Sequence, residues 1–134
     1  MCEFLSWIEK SNKVYFLTKK QADSPQGEML KKRFPGDGEL IGHAAIRAYY
    51  DIADGEDREC NDFSTPKNFP SVLVKAIKRG DFKGFGEPKG LLRDTAWKAY
   101  EEATAPAWKA YEEATAPVFW DLFAILENRA KAWR

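Results

Sequence analysis

One histidine, two cysteines and two methionines are all that this chain of 134 residues holds of those kinds. With two cysteines there is no disulfide framework to build, and Cys2 and Cys60 are expected to stay reduced. With one histidine, any histidine-dependent catalysis has to run through His43. No apolar run approaches the roughly 20 residues that a membrane span requires. The opening "MCEFLSWIEK" lacks a basic lead and a cleavage pattern, so a cytoplasmic protein with no membrane partner is expected. Net charge is also absent. Twenty-one basic residues balance 21 acidic ones, which argues against an obligate nucleic-acid binder, and neither half of the chain is a charged tail.

What is present is the material of one folded core with an appendage. Apolar residues at 44% and charged residues at 31% are the proportions of a globular chain rather than a disordered one. "CEFLSWIE" and "VYFLT" are short apolar and aromatic runs, and the "KSNK" between them is a polar break suited to closing an antiparallel hairpin. "EDRECNDFS" reads as a third extended segment. Three helices are expected around this sheet, over residues 25–33, 39–51 and 69–79. Ser24 caps the first, with Pro25 at its first position. The last has Asn68 as its cap, Val72, Leu73, Ala76 and Ile77 facing inward, and Gly80 as a left-handed exit.

After residue 92 the character changes, because residues 93–133 contain no glycine and are rich in Ala, Glu and Lys. The unit "AWKAYEEATAP" stands there twice without a difference, from Ala96 to Pro117. Each proline removes a helix hydrogen bond at about 3 kcal/mol in a helix interior. Yet the stripe Trp97, Tyr100, Thr104, Trp108, Tyr111, Thr115, Phe119, Leu122, Leu126, Ala130, Trp133 keeps helical spacing across both. The expected fold class is therefore α+β: a small, mainly antiparallel sheet with covering helices in residues 1–92, followed by a long proline-kinked helical arm in 93–134. If the stripe stayed uncovered, the arm would instead fall into three short helices with Thr104 and Thr115 as N-caps. Trp97, Tyr100, Trp108, Tyr111, Phe119 and Leu122 form an apolar face expected to meet its own copy in a homodimer.

The chemistry-bearing residues are sparse. "KAIKRGDFKGFGEPKG" sets Lys78, Arg79, Lys83 and Lys89 around a glycine-rich turn with Phe85, a combination of cations, backbone N–H groups and a stacking ring suited to an anionic, nucleotide-like ligand. Gly84-Phe85-Gly86 lacks the lysine and hydroxyl of a P-loop, so no cofactor is expected. Cys2 or Cys60 with His43 would be the parts of a cysteine hydrolase, but no nucleophile motif surrounds either cysteine, and small apolar packing is the plainer role. Cys2, His43 and Cys60 lack the paired spacing of a zinc site, so no metal is expected.

At "MCEFLSWIE", "IGHAAIRAYY", "ECNDFSTPKNFP" and "FWDLFAILENRAKAWR" the chain resembles small phage and metagenomic proteins of unknown function that join a short N-terminal domain to a tail of eleven-residue helical units. The resemblance spans the whole chain and transfers no catalytic residue. It implies a non-catalytic protein that binds a host protein or sequesters a small anionic ligand.

Overall fold

The computed structural model describes residues 4–53, 55–105 and 112–134, and the chain divides into two compact units, Met1–Asn61 and Asp62–Arg134. Among the described residues there are a three-stranded antiparallel sheet and six α-helices, an α+β architecture. No helix among them is long and apolar enough to cross a membrane.

In the first unit, β1 (Ser6–Lys10) and β2 (Lys13–Tyr15) form the hairpin anticipated at "KSNK". Ser11 and Asn12 close it with φ of 53° and 62°. Two consecutive left-handed residues are what a two-residue turn needs to match the twist of its strands. β3 (Glu56–Glu59) pairs with the other side of β1, giving the order β2-β1-β3. Only these four residues of "EDRECNDFS" are strand. Beyond them the Asp62 carboxylate accepts the backbone N–H of Ser64 at 3.0 Å and turns the chain. On central β1, neighbouring Trp7 and Ile8 point to opposite faces and both are buried, so the middle of the sheet is covered on each side.

Helices α1 (Lys19–Ala22) and α2 (Pro25–Arg33) meet at Gly27, where a Cβ would stand 2.2 Å from the carbonyl oxygen of Ala22. The Ser24 hydroxyl accepts the Gly27 N–H at 3.1 Å, so the predicted cap and the Pro25 start are both present. Helix α3 (His43–Tyr50) starts four residues later than expected. The Asp37 carboxylate takes the N–H groups of Ile41 and Gly42 at 3.0 and 2.7 Å, while Leu40 sits at φ 57°, so the chain cannot be helical before His43. Tyr50 closes the other end of the unit: its hydroxyl donates to the Phe16 carbonyl at 2.7 Å and accepts from Gln21 Nε2 at 2.9 Å.

The second unit begins with α4 (Ser71–Arg79), whose inward face is Leu73, Ala76 and Ile77. Gly80 makes the expected left-handed exit at φ 80°. Two details differ from the sequence reading. Val72 lies outside, 45% exposed, and Asn68 does not cap α4 but donates to the Asp62 carbonyl at 2.9 Å. Pro70 precedes the helix instead and has no side-chain donor or acceptor to cap it with.

Helices α5 (Asp94–Thr104) and α6 (Glu112–Ala124) replace the single long arm. The Phe119 ring packs edge-on against Trp97 and Tyr100, with centroids 6.1 and 5.6 Å apart. A continuous straight helix would hold residues 97 and 119 roughly 33 Å apart, so α5 and α6 lie side by side rather than end to end. Pro117 stands inside α6. Thr104 is the last residue of α5 rather than an N-cap, and its hydroxyl donates to the Tyr100 carbonyl at 2.8 Å. The stripe also changes phase after Pro117: the buried side chains are Phe119, Trp120 and Phe123, while Leu122 is half-buried and Leu126 exposed. Tyr100 and Phe119 are thus covered within the unit, and the dimer expected from an open stripe has no surface at those two positions. Trp108 and Tyr111 lie outside the described residues.

The segment after α6 holds this second unit, Asp62–Arg134, together. Leu92 bridges Arg129, with the N–H of Ala130 on the Leu91 carbonyl at 2.9 Å and that of Arg93 on the Asn128 carbonyl at 3.0 Å. Trp133 is fully buried against Phe63 and Phe69, and its indole N–H donates to the Phe63 carbonyl. Arg129, also buried, donates from Nε to the Phe123 carbonyl at 2.7 Å and from Nη2 to the Lys78 carbonyl at 3.0 Å.

Arg129→Met should destabilise the protein by about 2–4 kcal/mol in urea unfolding, because hydrophobic volume is kept while the buried Phe123 carbonyl and the partly buried Lys78 carbonyl lose their donor. A change within about 0.5 kcal/mol would show those carbonyls to be satisfied without it. Burial raises the pKa of Tyr50 above the ordinary phenol value of 10.0. Its contribution to stability is complete below about pH 10 and is lost as pH rises through the raised folded value. Ultraviolet titration should show a phenol ionising above that ordinary value, and Tyr50→Phe should remove it.

Candidate functional site

Three places carry residues with chemistry to offer. The first is the glycine-rich turn after α4. Gly80 and Gly84 take φ of 80° and 102°, which lets the turn swing Phe82 and Phe85 inward until the rings lie 5.8 Å apart in the core. Phe85 is 1% exposed, so the expected stacking ring has no face left for a ligand. The cations around it have neighbours of their own. Arg79 pairs with Asp81 at 2.8 Å, Lys83 with Asp121 at 2.8 Å, and the Lys89 ammonium sits 6.0 Å from the centroid of Trp97. Lys78 is half-buried and contributes its carbonyl to Arg129.

The second place is the histidine. His43 is the first residue of α3, and its Nε2 lies 2.8 Å from the Arg58 carbonyl of β3. A carbonyl can only accept, so Nε2 carries the proton and the ring ties helix to strand. Cys60 is half-buried just past β3. Cys2 lies outside the described residues. Among the described residues no group of three His, Cys, Asp or Glu side chains stands close enough to hold a metal ion.

The third place was not singled out by sequence. An open depression of about 570 Å³ is lined by Glu9, Lys10, Ser11, Asn12, Lys13, Val14, Glu56 and Arg58. In the antiparallel register Lys10 stands directly opposite Lys13 on one face of the hairpin, and Glu9 opposite both Val14 and Glu56 on the other. Arg58 is held between the Glu9 carboxylate at 3.3 Å and that of Glu56. The two acids are therefore committed to one cation, and two lysines remain at the hairpin end. The signal was in "KSNK", whose outer residues face each other once the turn is known to have two residues.

Compared with known proteins, the chain matches no family model, no curated protein and no solved structure.

His43→Ala should lower stability by about 1 kcal/mol through loss of the bond to Arg58, and His43→Gln, whose amide can donate in its place, should recover part of it. Equal losses in the two variants, read from denaturant midpoints, would mean that the ring matters through packing instead.

Proposed function

We propose that this is a non-catalytic binding protein that recognises a partner protein through the hairpin end of its first unit. The observation that carries the reading is the polar depression at Glu9–Val14, Glu56 and Arg58, a concave surface with charges of both signs in fixed register. Charged groups held in register at a surface orient a partner and discriminate among partners more than they add bulk affinity. The host-protein binding implied by resemblance to phage and metagenomic proteins fits the same reading. Sequestration of an anionic small molecule at Lys78, Arg79, Lys83 and Lys89 is supported less, since Phe85 is in the core and three of those cations face partners already. In a hydrolase using His43 the base would be Nδ1, since the Nε2 proton is given to the Arg58 carbonyl.

The test is cross-linking and capture in cells with the whole chain, comparing Lys10→Glu/Lys13→Glu with Lys83→Glu/Lys89→Glu. The captured partner should disappear with the hairpin variant and persist with the loop variant. The reverse pattern would move the site to the turn after α4, and a hydrolytic activity that disappears in His43→Ala would overturn the non-catalytic reading.

A further inference from the structure

Residues 96–106 and 107–117 carry the same eleven-residue unit, so removing either one leaves the same chain. What the second copy adds is length. Helix α5 continues past Tyr100 to Thr104, and α6 begins at Glu112, seven positions before Phe119, whose ring meets Trp97 and Tyr100. Eighteen residues separate Tyr100 from Phe119, enough for two helix ends and the connection between them. With one unit, seven would separate them. An antiparallel helix pair needs at least about two residues to reverse, which leaves about five to divide between both helices, less than a turn each. Continued as helix instead, the seven would hold Phe119 about 12 Å from Tyr100 along the axis, out of reach of a ring contact.

The place that α6 fills does not depend on the repeat. Asp121 pairs with Lys83 at 2.8 Å, and Arg129, which holds the Phe123 carbonyl, also reaches the Lys78 carbonyl at 3.0 Å. All of these residues lie outside both units. A chain with one unit would therefore keep a site for α6 that it cannot fill itself, while a second copy offers an identical helix. Its geometry suits such a pairing. Tyr100 and Phe119 would stand four residues either side of Thr104, so a two-fold axis beside Thr104 sets each ring against its counterpart in the other copy. Proline is no bar to the longer helix, since α6 already carries Pro117 inside it.

We propose that the duplicated unit keeps this closure within one chain: with two units α6 turns back on its own α5, and with one the same helices pair between two copies.

The test compares the parent with chains of one and of three units. Each is refolded from an equal mixture of unlabelled and isotope-labelled copies, sedimented, and treated with a carbodiimide, which joins the Lys83 amine to the Asp121 carboxylate where they pair. The parent should sediment as a monomer whose Lys83–Asp121 cross-link joins peptides of one label only. The one-unit chain should sediment at twice its chain mass, with about half of that cross-link mixed in label, as random pairing through a two-fold interface requires. The three-unit chain, in which only the connection is longer, should behave as the parent does. A monomeric one-unit chain, or a dimer whose cross-link stays unmixed, would overturn the proposal, and so would mixed cross-links in the parent. If the one-unit chain does not fold, the three-unit chain decides: a monomer with the parent's cross-link upholds the proposal, and loss of that cross-link overturns it.

Discussion

A buried guanidinium with no carboxylate partner among the described residues organises the second unit. Arg129 reaches the carbonyl of Lys78 in the last turn of α4 and that of Phe123 in the last turn of α6, and its plane lies 4.2 Å over the Phe123 ring. The last carbonyls of a helix have no partner within it and carry the negative end of its dipole. One cation therefore answers two helix ends at once. Desolvation lowers its pKa from the usual arginine value, yet guanidinium titrates so far above neutrality that it remains charged. Fixing Arg129 also fixes the Leu92 bridge beside it and the approach of Trp133 to Phe63 and Phe69, so the C-terminal residues act as a clasp rather than a tail.

That clasp explains which parts of the sequence were legible. Turn and cap chemistry is local, and there the reading and the structure agree: the "KSNK" hairpin, Ser24 before Pro25, Gly80 after α4. The two extended runs and the α+β class follow from periodicity alone. The arm was harder because the stripe is compatible with two arrangements, one continuous and one folded on itself. Helical spacing reports which residues share a face; it does not report whether two segments sharing a face are stacked end to end or packed against each other. The Trp97, Tyr100 and Phe119 rings meet in the second way, and their burial then draws Trp120 and Phe123 inward in place of Leu122 and Leu126.

Site residues were less legible than the fold, for a related reason. Lys83 and Asp121 are 38 positions apart, and composition near the glycine-rich turn shows the lysine without the acid that answers it. Phe85 looked like a stacking ring because glycines flank it, whereas Gly84, at φ 102°, bends the chain so that the ring enters the core. Lys10 and Lys13 went unremarked because two lysines around a polar turn are common. Only the register makes them face one another, and register is a property of the pairing rather than of either strand.

Both edges of the sheet are guarded. A three-stranded sheet has two edges, and an edge strand is a template for unwanted pairing unless something guards it. β3 is guarded by its composition, since Glu56, Asp57, Arg58 and Glu59 are all exposed, and by His43, which occupies the Arg58 carbonyl. β2 offers only three residues, and just beyond it Tyr50 takes up the carbonyl of Phe16. With both edges closed to strand addition, contact through the sheet falls to side chains. Among those at the hairpin end, Arg58 answers both Glu9 and Glu56 on one face of the sheet, and Lys10 and Lys13 meet across the last rung on the other.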